Sequence, residues 1–173
     1  MNASAAESRT FLSLDVDGGT VRFRRASLGD LEGIVRLVAE DPLAVAREDL
    51  TDMAPYETAF AAIDADPGHL LVVGELQPAA GEDPTLVATF QLSFLPGLSR
   101  KGSLRSQIEA VRVADSLRGQ GVGQDMVRWA IDESRRRGCG LIQLTTDKSR
   151  TDAHRFYERL GFAASHEGMK LRL

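Results

Sequence analysis

Residues 111–137 read VRVADSLRGQGVGQDMVRWAIDESRRR: the end of an apolar strand, a glycine-rich turn and a long amphipathic segment, in that order. Gly119, Gly121 and Gly123 carry no Cβ, so a ligand can approach the backbone closely and several N–H groups can point at one phosphate. A helix starting here sets the positive end of its dipole behind the same spot. Strand, turn and helix therefore predict an anion cradle for a phosphate-bearing ligand. Spacing narrows the choice. A nucleoside-triphosphatase loop needs Gly-Lys-Ser/Thr, whereas Gln124 and Asp125 follow Gly123. A dinucleotide fingerprint needs glycines at first, third and sixth positions near the start of a βαβ unit, with an acidic ribose ligand about 20 residues on. Here the glycines are evenly spaced, the first strand lies far upstream and Asp147 is poorly placed.

Downstream of the turn, Val122, Met126 and Ala130 recur at helical spacing, with Val127, Trp129 and Ile131 widening the stripe. Met126 and Trp129 read as core. Arg135, Arg136 and Arg137 suit the negative end of this helix, and Gly138 is placed to cap it. Residues 140–145 read as a strand. Ala153, Phe156, Tyr157 and Leu160 then fall on one face of a second helix that Gly161 stops, and residues 162–164 and 168–173 read as two short strands.

Upstream, residues 1–19 read as a flexible arm ending in a turn at Asp17-Gly18-Gly19, with a short strand near residues 11–14. Residues 21–26 alternate as a half-buried strand. Ser27 or Asp30 caps a helix through Leu31, Ile34, Val35, Leu37 and Val38. Residues 40–68, broken by Pro42, Pro55 and Pro67, suggest two short helices. Residues 69–76, 86–92 and 106–113 follow as strands joined by turns, so this half of the sheet is antiparallel. The passage from the strand 106–113 through a helix to residues 140–145 is long enough for a parallel crossover. The expectation is an α/β fold: a mixed, mostly antiparallel sheet of six to seven strands and about four helices, in one domain spanning residues 20–173.

Composition limits the function. With 173 residues the chain holds one real core. A net charge of −4 speaks against general nucleic-acid binding, which relies on neutralising phosphates. The single cysteine, Cys139, permits no internal disulfide and fits a reducing compartment. No apolar run reaches the ~20 residues of a membrane span, and the first residues lack a basic region followed by an apolar one. A cytoplasmic protein is expected, with neither nucleic acid nor membrane as partner.

Arg118, Gly121 and Gly123 occupy the three fixed positions of the Arg/Gln-x-x-Gly-x-Gly/Ala signature of the GNAT family of N-acetyltransferases, and AHRFYERLGF at 153–162 lies where that family carries its tyrosine-bearing helix and Gly-Phe turn. The chain resembles this family over most of its length. The resemblance implies a GNAT fold splayed between the fourth and fifth strands, residues 106–113 and 141–146. It implies acetyl-CoA as co-substrate, with the pantetheine arm on backbone groups near Val111 and Val113. The pyrophosphate would then lie on Arg118, Gly119, Gln120, Gly121, Val122 and Gly123. Tyr157 matches the tyrosine that acts in many members as general acid toward the leaving thiolate. Pairing of two subunits through the last strands, a homodimer, is common in the family.

Acetyl transfer also needs a neutral amine, and Glu109, which by alternation shares a face with Gln107, Val111 and Val113, is a candidate base. Cys139 has no obvious base partner, so direct attack in a ternary complex is expected rather than a covalent relay. Arg150 stands seven positions before Tyr157, where many members have Asn, and that cofactor contact is not carried over. Residues 152–157 with Ser165-His166 are locally similar to aminoalkylphosphonate acetyltransferases. Asp152, His154 and His166 are candidates for metal or phosphonate contacts there, although surface and capping roles are commoner and no metal site is expected. Glu40, Asp41, Glu48, Asp49 and Asp52 read either as a solvated surface or as contacts to a cationic acceptor. The expected acceptor is a small-molecule primary amine; a protein N-terminus or lysine, or a non-catalytic CoA-binding sensory role, are the alternatives.

Overall fold

The computed structural model describes residues 9–41 and 48–171. Six strands form one sheet in sequence order: β1 (Leu12–Val16), β2 (Gly19–Arg25), β3 (His69–Pro78), β4 (Thr85–Leu95), β5 (Arg105–Val113) and β6 (Leu141–Leu144). Neighbours from β1 to β5 are antiparallel, and β5 with β6 is parallel. The helices are α1 (Leu31–Ala39), α2 (Ala54–Ala65), the single turn α3 (Ser99–Gly102), α4 (Val122–Arg136) and α5 (Thr151–Arg159).

Each face of the sheet has its own core. Val21, Phe23, Val72, Phe90, Leu92 and Ile108 meet Leu117, Val122, Met126, Val127 and Ala130 on the α4 side. Ala26, Leu71 and Val73 meet Leu31, Ile34, Val35 and Phe60 on the α1/α2 side. Each large apolar side chain so buried contributes roughly 1.5–3 kcal/mol. Trp129 stacks on Phe11 at 5.0 Å and meets Phe90 edge-on at 6.0 Å, which makes it a core residue.

Two expectations about the chain ends need correction. The stretch read as a flexible arm carries the short strand expected near residues 11–14 as β1, which pairs with β2 from Leu12↔Phe23 to Val16↔Gly19 across a turn where Gly18 has φ +89°, so residues 11–19 are no arm, and residues 1–8 fall outside the described residues. Leu12, Leu14 and Val16 alternate and pack on the α4-side core, and that burial holds the strand in place. At the other end, residues 162–164 and 168–171 form no strand. Ala163, Ala164, Ser165, Glu167 and Gly168 offer little of the branched apolar surface that strands bury, and Met169 and Leu171 lie exposed. Residues 172 and 173 of the last expected strand fall outside the described residues.

The join between β2 and α1 is ionic. Arg24 holds Asp30 with both guanidinium arms, Nη1 to Oδ2 at 2.7 Å and Nη2 to Oδ1 at 2.8 Å, while the Ser27 N–H donates to Oδ2 at 2.7 Å. Burial raises the Asp30 pKa, but these hydrogen bonds outweigh it and the net shift is downward from 3.8. A lowered carboxylate pKa contributes stability above the unfolded value that is lost as pH falls through the folded one. Asp30→Asn is therefore expected to flatten the acid limb of a stability–pH profile below pH 3.8; an acid limb unchanged in the variant would contradict this assignment.

Gly74 sits where β2, β3 and β4 crowd together. A Cβ there would stand 2.7 Å from Phe23 Cε1 and 3.0 Å from Ala88 Cβ, both in the core. Gly74→Ala is expected to lower stability by about 1–3 kcal/mol through overpacking, read from denaturant midpoints. An unshifted midpoint would show that the ring can move aside.

A bulge shapes β5. Thr89 pairs with Arg112 and Gln91 with Glu109, so Ala110 and Val111 together oppose Phe90, and Ala110 adopts φ +52°. An extra residue reverses the side-chain alternation beyond it. Glu109 therefore shares its face with Gln107 and Arg112 on the α1/α2 side, where Thr89 pairs with Val73. Val111 and Val113 pack with the α4-side core. The expectation that Glu109 shares a face with these valines is corrected by the bulge.

Candidate active site

β5 and β6 pair from Arg105↔Leu141 to Ile108↔Leu144, after which β6 ends and β5 runs on to Val113. The strands part there, and residues 109–113 of β5 line the opening. This is the expected splay, and it brings Glu109, Val111 and Val113 to one edge.

The glycine turn closes one end of this opening. Leu117, buried in the α4-side core, anchors the loop, and the chain then turns through Gly119 (φ +80°) and Gly121 (φ +81°), conformations open to glycine and costly for other residues. Gly121 is the N-cap of α4, and among the described residues no side chain caps the helix. The first N–H groups of α4 have no intrahelical acceptor. At Gly123 an added Cβ would lie 3.7 Å from Val113 Cγ2 and 3.8 Å from Phe156 Cζ, so this glycine lets the helix start beside β5 and α5.

Two expected cradle residues have other engagements. Gln120 accepts the Asp17 N–H at 2.8 Å and donates to the Ser116 carbonyl at 3.3 Å, which fastens the turn to the β1–β2 hairpin. Arg118 pairs with Asp115 at 2.7 Å with both side chains exposed. Such a pair contributes ~0–1 kcal/mol, so Arg118 can exchange it for a phosphate.

Tyr157 comes from α5, packed edge-on against Phe156 at 5.1 Å and Phe162 at 5.7 Å. Burial pushes its phenol above the ordinary value, against the opposing charges of Arg112 and Arg150. It is a neutral phenol at pH 7, with a proton to give.

Beside Tyr157 lies a cluster that reading the sequence missed. Asp41, past the end of α1 and 8% exposed, receives Arg112 Nη2 at 2.6 Å on the same Oδ2 that pairs with Arg150. Arg112 Nη1 also donates to the Val111 carbonyl at 2.6 Å, and Arg112 Nε is buried with no hydrogen-bond partner among the described residues. Burial lowers the Arg112 pKa, with Asp41 opposing. The one signal in the sequence was an arginine between two valines in an otherwise apolar strand end. Of the acidic residues read as contacts for a cation, Asp41 instead meets two arginines. Glu48 accepts the Tyr56 hydroxyl at 2.9 Å; Asp49 and Asp52 take the backbone N–H of Thr51 and Ala54 at 2.8 and 3.1 Å.

The candidate metal contacts lie apart in function. His154 Nε2 meets the Asp147 carbonyl at 3.0 Å, His166 Nδ1 meets Ser165 Oγ at 2.8 Å, and Asp152 pairs with Arg155. Among the described residues no three His, Cys, Asp or Glu side chains are grouped to hold a metal ion. Burial pushes the Cys139 thiol up, against a Ser106 hydrogen bond and the Arg137 charge, which makes it a poor nucleophile. Arg135 pairs with Asp132, and Arg136 and Arg137 with Glu133, so the arginine triplet serves the helix end.

A sequence profile of the acetyltransferase (GNAT) family matches residues 33–162. Streptothricin acetyltransferase of Streptomyces lavendulae is 30% identical over 159 residues, covering 84% of this chain and 83% of that protein. Aminoalkylphosphonate N-acetyltransferase of Salmonella typhimurium is 42% identical over 60 residues; the match takes in 35% of this chain and 39% of that protein, well under half of its length. Among solved structures, a transcriptional regulator from Bacillus halodurans C-125 is 44% identical, with a TM-score of 0.81 over 88% of this chain and 99% of that one. The splayed sheet, the glycine turn at the start of α4 and a family match spanning most of the sequence agree: the chain belongs to the acetyltransferase (GNAT) family and is an acyl-CoA-dependent N-acetyltransferase.

Proposed function

We propose that this enzyme moves the acetyl group of acetyl-CoA to a primary amine of a small molecule by direct attack in a ternary complex, with the sheet from β1 onward and its helices acting as one catalytic domain. One observation carries the reading: the start of α4, behind left-handed Gly119 and Gly121, lies against Val113 at the open end of β5, and Tyr157 is near enough to Arg112 of the same strand to feel its charge. The N–H groups of Gly121, Val122 and Gly123, with Arg118, hold the pyrophosphate of the co-substrate. The edge of β5 near Val111 and Val113 pairs with its amide-bearing arm, which brings the thioester to the gap. The amine nitrogen then forms its bond to the carbonyl carbon and the carbon–sulfur bond breaks. Tyr157 gives its proton to the leaving thiolate, and the nitrogen loses one to Glu109, directly or through water. Relatives named for streptothricin, aminoalkylphosphonate and glucosamine 6-phosphate support a small acceptor.

Initial rates measured against both substrates should give intersecting double-reciprocal lines. Parallel lines would mean a covalent relay and would exclude direct attack. Glu109→Gln is expected to lower kcat/KM at pH 7 on the order of 10–100-fold, with the deficit shrinking at higher pH as the amine loses its proton unaided. A deficit constant across pH would remove Glu109 from the role of base.

A further inference from the structure

We infer that the acceptor amine carries an oxyanion group, a phosphonate, phosphate or carboxylate, and that Arg112 and Arg150, oriented by Asp41, are the residues that bind it. The inference rests on the acetyltransferase reading above and names the acceptor class for that same site.

Three separate pieces of chain build the cluster: Asp41 beyond the end of α1, Arg112 in the bulged part of β5, and Arg150 at the N-cap of α5. Both guanidinium groups converge on one oxygen, Asp41 Oδ2. Among the described residues two arginines meet this carboxylate, more than pinning α1 to β5 requires, since a single arginine would neutralise Asp41. Glu48 is the other carboxylate whose charge reaches Arg112, and it already accepts the Tyr56 hydroxyl. The whole chain carries a net charge of −4, so a paired-arginine spot does not follow from a general basic surface.

The donors are also unevenly used. Arg112 spends Nη1 on the Val111 carbonyl and Nη2 on Asp41, while its buried Nε has no partner among the described residues. Buried polar groups in folded proteins are nearly always hydrogen-bonded. A guanidinium presents a planar fork suited to two oxygens of one anion, and such bonds to charged oxygens are the strong ones. Arg112 and Arg150 keep 23% and 32% of their side chains exposed, so a solute can reach groups whose positions Asp41 fixes.

The place is right for the acceptor. The bulge at Ala110 turns Arg112 to the face that carries Glu109, while Val111 and Val113 on either side pack toward α4. The arginines thus lie on the side of β5 where the candidate base stands, and the pyrophosphate cradle at Gly119–Gly123 lies at the start of α4. The charges of both arginines are felt at Tyr157, in keeping with that position. An amine tethered to an anion held here is presented to the gap from the acceptor side.

The test compares kcat/KM for matched primary amines: 2-aminoethylphosphonate, phosphoethanolamine and β-alanine against neutral ethanolamine and propylamine. At least one anionic amine is expected to exceed the neutral ones on the order of 100-fold, and the ranking of the three identifies the oxyanion. Either variant, Arg112→Gln or Arg150→Gln, leaves Asp41 with one cation fewer, but Arg112 lies within β5 and is the more buried, so Arg150→Gln, at the N-cap of α5, is the decisive variant. It is expected to raise KM for the preferred anionic amine at least tenfold and to collapse the anionic-to-neutral ratio, with Arg150→Lys restoring part of it. A wild-type enzyme that acetylates neutral amines as well as anionic ones, or a ratio unchanged in folded Arg150→Gln, would overturn the inference and leave the acetyltransferase reading standing. Acetyl transfer to no amine at all would overturn that reading and the inference with it.

Discussion

Replacing Tyr157 with Phe should lower kcat on the order of 10²-fold while leaving acetyl-CoA binding within about twofold, the loss typical of removing a positioned general acid. The ring stays, so the packing against Phe156 and Phe162 is retained and the fold should survive. What disappears is one hydroxyl. Its proton is available because burial raises the phenol above its ordinary value of 10.0, against the partial opposition of Arg112 and Arg150. The sign for activity follows directly: the active form is the protonated one, so the alkaline fall in kcat assigned to this group lies above pH 10 in the wild type and is absent from Tyr157→Phe. A rise in rate between pH 6 and 9 then reports amine deprotonation, and it should persist in the variant. A variant within threefold of wild type would reduce Tyr157 to a wall of the site.

The second large effect concerns the cradle. Gly121→Val should weaken acetyl-CoA binding at least tenfold, measured by calorimetry, with α-helical content preserved. Gly121 has φ +81° and ψ −11° as N-cap of α4, a conformation that costs an L-residue roughly 1–2 kcal/mol and a branched one more. An added Cβ meets little in this structure, the nearest atom being Asp125 Oδ2 at 4.0 Å. The penalty is therefore backbone strain rather than collision. Relief of that strain swings the N–H groups of Val122 and Gly123 away from their common target, and the phosphate loses them. Unchanged affinity in a folded Gly121→Val protein would move the pyrophosphate elsewhere.

How far these features were legible beforehand depended on whether they were local. The glycine turn ahead of α4 was, because glycines before an amphipathic run are written in consecutive residues, and Gly119 and Gly121 adopt left-handed geometry. The helix of Tyr157 and the parallel crossover to β6 were legible from apolar periodicity and segment length. The bulge was not. Ala110 has no special tendency to φ +52°; the slip belongs to the pairing of β4 with β5, and it put Val111 and Val113 on the face opposite Glu109. The Asp41–Arg112–Arg150 cluster was hidden for the same reason, since its members lie 71 and 38 residues apart along the chain (41 to 112, 112 to 150) and only the folded sheet brings them together. The short strand and the turn of the β1 hairpin were legible, but not their firm attachment, because the partner surface, Trp129 against Phe11, also lies far away in sequence. The short C-terminal strands were overread from a few apolar residues that the fold leaves exposed.

The most direct test of the central claim counts both products at once: free CoA thiol and acetylated amine, formed from acetyl-CoA across anionic amines, neutral amines, polyamines, aminoglycosides and short peptides. One thiol should be released per small-molecule amine acetylated, in at least one class and dependent on Tyr157. Protein that binds acetyl-CoA and releases no thiol with any of them, or that acetylates the peptides alone, would contradict it.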